Sequence, residues 1–419
     1  MPQSLRAPAL DDEARAFLRF FNLFARRPLA EYSIAELRRL WLLIALALGR
    51  RARVASVTDH ALEGPARPIE LRVFKPCGSD AKPPVLIWCH GGGFLVGGAD
   101  TADSICRNLA NASRAAVVSV RYRLAPEHDL YAGREDVLAA VRWVADHGAT
   151  LGVDPTRLAI GGDSAGGNLA AAVAQECVRR GGPRLLLQVL AYPATNIGKD
   201  YPSKDENARG YLLTADNMDW MKGVIAASAD LDDQWISPGR NRDLRGEPPA
   251  LIVTAGFDPI RDDGLDYASR LRACGVPVHL LHYAGQFHGF LNFDAILVAA
   301  RDGLDRIGAA LRHAFDAGPA PDRTIEIADR ARPKPARVRT AAAQATTATL
   351  MAWESIEQWS DTLLRLASPR AAAASSWALG PWLAPARFVR GTVTSRLNRL
   401  QVRQTHPATD VARRKATSP

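Results

Sequence analysis

From about residue 84 onward, apolar side chains arrive in short unbroken runs. Longer stretches between them repeat their apolar positions every three or four residues. The runs Val85–Cys89, Ala116–Val120, Leu158–Gly161, Leu185–Ala191, Ala250–Ala255 and Val276–His282 read as strands. They lack polar alternation, as expected when both faces of a parallel sheet are covered by helices. The stretches near 101–113, 134–147, 166–180, 262–274 and 291–316 read as those helices. Strand and helix in alternation predict a mostly parallel, doubly wound α/β fold.

Two regions break the alternation. Residues 1–55 carry Phe17, Phe20, Phe21 and Phe24 at i, i+3, i+4 and i+7, one face of a helix. Residues 195–240 separate two core strands and hold Tyr201, Tyr211, Met218, Trp220, Met221 and Trp235. Both read as a helical cap over the strand ends, the first before and the second within a catalytic unit spanning 56–319. Beyond residue 319 the texture changes. Residues 320–349 are rich in Ala, Pro, Thr and Arg without apolar period and read as a flexible linker. Ile356, Trp359, Leu363 and Leu366 predict an amphipathic helix over 351–368, and residues 384–419 are basic and poor in apolar side chains.

Charge sharpens this division. Residues 1–319 carry equal numbers of basic and acidic side chains, and the whole net charge of +9 falls in residues 320–419. The basic balance therefore describes the extension and carries no information about the catalytic unit. A solvated appendage is the plain reading of that tail. Weak association with an anionic membrane surface is the alternative, and no nucleic-acid partner is expected. The start of the chain has no secretory leader pattern, since Arg6 precedes Asp11, Asp12 and Glu13 ahead of any apolar stretch. The longest apolar run, Leu40–Leu48, is nine residues, far short of the ~20 needed to span a bilayer. Cys77, Cys89, Cys106, Cys177 and Cys274 form no metal-binding spacing and read as free buried thiols. The expected location is the cytoplasm, and a homo-oligomer is left open.

Chemistry concentrates in two glycine-rich strings. Gly162-Asp163-Ser164-Ala165-Gly166 follows Leu158–Gly161, and His90-Gly91-Gly92-Gly93 follows Val85–Cys89. Gly-x-Ser-x-Gly between strand and helix is a nucleophile elbow, a turn so tight that only small residues fit two places either side of the serine. A glycine loop after an earlier strand offers bare backbone N–H groups to a developing oxyanion. Gly92, Gly93 and Ala165 are the expected donors, Ala165 because it opens the helix after the elbow. His90 is expected to prop the loop, and Asp163 to bond to nearby backbone.

A serine hydroxyl needs a base, and the base needs an acid to fix its tautomer. Asp258 follows the strand Ala250–Ala255, and His288 lies between Gly285 and Gly289 after the last strand. Asp262 and Asp263 fall in a helix first turn, and His279 and His282 lie within a strand, so they are weaker candidates. No G-x-x-x-x-G-K-[ST] or H-E-x-x-H occurs, so neither a phosphate loop nor a zinc protease motif competes, and no metal or other cofactor is expected.

The strings His90-Gly91-Gly92-Gly93-Phe94, Tyr122–His128, Gly162–Leu169, Asp258–Asp262 and Phe287–Phe290 resemble the hormone-sensitive-lipase-like α/β-hydrolase esterases, in the branch whose elbow reads G-D-S-A-G. The resemblance covers roughly 60–315. It implies an α/β-hydrolase fold and a metal-free carboxylesterase for short- to medium-chain acyl esters, with Ser164, Asp258 and His288 as triad. Asp129-Leu130-Tyr131 departs from the Pro-Phe-Pro-like stretch usual there. The rival expectation is a non-catalytic small-molecule receptor on the same scaffold.

Overall fold

A computed structural model describes residues 1–24, 27–78, 82–318 and 321–327. Among the described residues, nine strands form one sheet in the order β1-β2-β4-β3-β5-β6-β7-β8-β9. The strands β1 (Ser56–Leu62) and β2 (Ile69–Lys75) are an antiparallel hairpin at one edge, joined through β2 to β4. From there β3 (Val85–Cys89), β4 (Ala116–Arg121), β5 (Leu158–Asp163), β6 (Gln188–Ala191), β7 (Ala250–Phe257) and β8 (Val278–Phe287) run parallel. The last described strand, β9 (Arg323–Ile327), continues the parallel sheet beside β8.

Alternation within β3 shows how the core divides. Val85, Ile87 and Cys89 face one apolar layer, while Leu86 and Trp88 face the other. The first layer is closed by α4 (Leu130–His147), α5 (Ala165–Arg179) and α8 (Arg261–Ala273), through Val137, Val141, Leu169, Val173, Leu265 and Leu271. The second is closed by α1 (Asp12–Phe24), α3 (Asp103–Ser113) and α9 (Val298–Asp316), through Phe17, Ile105, Leu109, Leu304 and Ile307. Each Leu, Ile or Val buried this way contributes roughly 1.5–3 kcal/mol before chain entropy is set against it.

Three strands are absent from the sequence expectation: the two edge strands β1 and β9, and β2, which lies between β1 and β4. β1 reads Ser-Val-Thr-Asp-His-Ala-Leu and is mostly exposed, and β9 reads Arg-Thr-Ile-Glu-Ile, so neither has the unbroken apolar run of a covered strand. β9 also falls inside the stretch 320–349 expected to be linker, which corrects that reading at its start. The expected helix at 351–368 and the basic stretch 384–419 lie outside the described residues. Among the described residues, no helix is long and apolar enough to cross a membrane.

Helical segments outside the alternation are α1, α2 (Ile34–Leu48), α6 (Pro202–Glu206) and α7 (Ala215–Ala226). A reciprocal box starts α2: Ser33 Oγ accepts from Glu36 N–H, and Glu36 Oε2 accepts from Ser33 N–H. Phe17 packs on Phe287 and Phe293, with ring centres 5.7 and 4.9 Å apart. Arg38 on α2 donates to the Leu95 and Ala125 carbonyls and pairs with Glu127. The departure at Asp129 is a helix cap, its carboxylate accepting from Ala132 N–H at 2.8 Å to start α4. All five cysteines are free, but only Cys89, Cys106 and Cys177 are buried. Cys274 is half-buried and Cys77 exposed, which corrects the expectation for those two.

Candidate active site

Strand register sets the level of every side chain in the site. Cys89 pairs with Gly162, Asp163 with Ala191, and Phe257 with Phe287 across a bulge in β7 and β8. His90, Ser164, Tyr192, Asp258 and His288 therefore all leave their strands at one rim, the carboxyl end of the parallel sheet.

At the end of β5 the chain turns through Ser164, with φ 57° and ψ −119°, directly into α5. This is a sparsely populated conformation for a residue with a Cβ, and packing on all sides has to hold it. Glycine is obligatory at its flanks. A Cβ on Gly162 would lie 2.3 Å from the Gly166 carbonyl oxygen, and one on Gly166 would lie 2.0 Å from that of Cys89. The neighbouring loop is left-handed at Gly92 (φ 127°) and Gly93 (φ 60°), and Phe94 follows at φ 63°. It is tied to the elbow by Gly91 N–H, which donates to Asp163 Oδ1 at 2.9 Å.

His288 Nε2 lies 2.9 Å from Ser164 Oγ, and its Nδ1 lies 2.9 Å from Asp258 Oδ2. Asp258 is fully buried, and its second oxygen accepts from Ile260 N–H at 2.8 Å. A carboxylate at Nδ1 holds the proton there and leaves Nε2 to accept from the serine hydroxyl. Asp262 is engaged by Arg261, while Asp263 accepts from Thr195 and Asn196. His282 bonds to Thr254 within the sheet. None of these competes for the serine.

His90 Nδ1 lies 2.8 Å from the Gly91 carbonyl, and its ring stacks on Tyr122 at 4.3 Å. Burial pushes its pKa down to about 4, so it stays neutral and props the loop. Burial pushes Asp163 the other way, above the usual carboxylate range, against donors from Asn292 and Gly91. Asp163 was expected to bond to nearby backbone. Its partner Gly91 is close in space but belongs to the other glycine string.

Several participants escaped the sequence reading. Tyr192 sets its ring edge-on to His288, centres 5.1 Å apart. Asn207 donates to the Asp258 carbonyl at 3.1 Å, and Asn292 reaches Asp163 at 3.2 Å. Only Tyr192 had a usable signal, its place immediately after a strand level with Ser164. Met221 on α7 covers the glycine loop, because a Cβ on Gly93 would fall 2.3 Å from its sulfur.

The fold defines an α/β-hydrolase, with Ser164, His288 and Asp258 hydrogen-bonded in series at the sheet's carboxyl rim. A family model described as the alpha/beta hydrolase fold matches residues 86–292. Esterase LipI of Mycobacterium tuberculosis is 43% identical over 260 residues, 61% of this chain and 81% of that protein. Carboxylesterase NlhH of the same species is 44% identical over 254 residues, 59% of this chain and 79% of that protein. The solved structure of a hyperthermophilic esterase from Pyrobaculum calidifontis superposes with a TM-score of 0.68 at 38% identity, over 73% of this chain and 98% of that one. The chain belongs to the hormone-sensitive-lipase-like family of α/β-hydrolases.

Proposed function

We propose that the protein is a serine carboxylic ester hydrolase acting on short- to medium-chain acyl esters through an acyl-enzyme on Ser164. One observation carries the reading: a single imidazole, His288, lies 2.9 Å from both the Ser164 hydroxyl and the Asp258 carboxylate. His288 takes the hydroxyl proton as Ser164 Oγ attacks the ester carbonyl carbon, and Asp258 stabilises the imidazolium formed. The negative charge on the former carbonyl oxygen is received by the N–H groups of Gly92, Gly93 and Ala165, the last at the positive end of α5. Collapse of the tetrahedral species breaks the ester C–O bond, and His288 hands its proton to the departing alcohol. Water, deprotonated by His288, then attacks the acyl carbon, the bond from that carbon to Ser164 Oγ breaks, His288 returns its proton to Oγ, and the acid is released.

Met221, from the cap insertion, supports the limit on acyl length by roofing the glycine loop at Gly93. The receptor alternative has less support, because the relatives at 43 and 44% identity are named as an esterase and a carboxylesterase. Hydrolysis of p-nitrophenyl acetate through octanoate by purified protein tests the reading. Ser164→Ala is expected to lower turnover by roughly 10⁴–10⁶-fold, with the melting temperature retained. Undiminished hydrolysis by that variant would rule the proposal out.

A further inference from the structure

Asn292 belongs to a short 3-10 turn, Phe290–Phe293, that follows His288 and the left-handed Gly289 (φ 76°). Its side-chain amide donates to Asp163 Oδ2 and to the Gly289 carbonyl, both at 3.2 Å, and approaches Tyr192 Oη at 3.5 Å. The other oxygen of Asp163 takes the Gly91 N–H. One buried carboxylate thus joins the glycine loop to the histidine loop, with Ser164 next to it in the chain. Among the described residues, no cationic side chain forms an ion pair with Asp163.

We infer that Asn292 is a positioning residue, whose amide holds the His288 loop in register with the elbow and the glycine loop through Asp163. This rests on the esterase reading above. A shift of about an ångström in a reacting group costs on the order of 10²-fold in rate, so a tether one turn from the base acts on turnover. Charge adds a second consequence. Asp163 sits in a buried setting faced by Cys89, Cys106, Tyr122, Tyr192 and His288. The Asn292 donor opposes the upward push that burial gives its pKa. Without that donor the carboxyl takes up a proton at higher pH and its bond to the glycine loop weakens.

The test uses the full-length protein with Asn292→Ala and Asn292→Asp, the second keeping side-chain shape while opposing one carboxylate to another. Hydrolysis of p-nitrophenyl butyrate is followed from pH 5 to 9, with active sites counted by a fluorophosphonate probe. For both variants kcat per labelled site is expected to fall roughly 10- to 100-fold, with KM within about twofold. The low-pH limb of kcat should move to higher pH, further for Asn292→Asp. If wild type turns over while both variants match it per labelled site and in pH profile, the role is overturned, even if their melting temperatures drop. A wild-type protein inert toward every ester would remove the esterase reading itself, and this role with it.

Discussion

Gly166, on the first turn of α5, stands so near Cys89 at the end of β3 that any Cβ would press 2.0 Å from the Cys89 carbonyl oxygen. The obstacle is backbone on both sides, so no side chain can swing away to relieve it. The elbow is therefore seated directly on the strand from which the glycine loop departs.

Gly166→Ala should consequently push the elbow and the loop apart. Overpacking of this kind costs about 1–3 kcal/mol, and the displacement falls where Ser164 must attack. A lower melting temperature and strongly slowed fluorophosphonate labelling are expected. Unchanged labelling and melting would show that the elbow has slack this packing denies.

Met221 provides a test of the cap. Its sulfur lies over Gly93, so Met221→Ala opens space beside the proposed oxyanion donors. Each methylene accommodated in an apolar pocket is worth about 1–3 kcal/mol of discrimination. The ratio of kcat/KM for p-nitrophenyl octanoate over acetate should rise by roughly tenfold or more. A ratio equal to wild type would mean the acyl chain runs elsewhere.

How much of this was legible in the sequence divides by burial. The covered parallel strands announced themselves as unbroken apolar runs, and their ends located Ser164, Asp258 and His288. Edge strands were silent, because β1 and β9 mix charged residues with apolar ones and face water on one side. The strand leading to His288 is expected to end at His282, because Ala284, Gly285 and Gln286 look like loop residues, but it runs to Phe287. They stay extended because the N-terminal segment lies against them: Ala7 N–H donates to the Ala284 carbonyl and Asp11 N–H to that of Gly285. Contacts between residues nearly 280 positions apart leave no local pattern, and the same holds for Asn292 and Asp163.

Asp263 makes stability depend on pH. It is buried on α8, accepting from Thr195 and Asn196 where the cap insertion begins, and burial raises its pKa from 3.8 to about 7. The folded state thus holds a proton that the unfolded chain releases near its ordinary carboxylate range. This contribution to stability is complete below about pH 4 and is lost as pH rises through about 7. Asp263→Asn, which keeps both contacts by turning its amide, should show a flatter dependence of urea midpoint on pH between 4 and 8. Parallel curves for the two proteins would contradict the assignment.

Strand β9 also decides where a shortened version of the protein can be cut. Glu326, on that strand, accepts the N–H groups of Gln3 and Ser4, so one carboxylate clasps the first residues and the last described strand together. Trimming at residue 319, where composition alone would place the border, strips that clasp and bares the outer backbone of β8. An open edge invites pairing with another chain, and here it would lie on the strand that leads into His288. A deletion meant to isolate the enzyme from its basic tail should therefore keep Ile327.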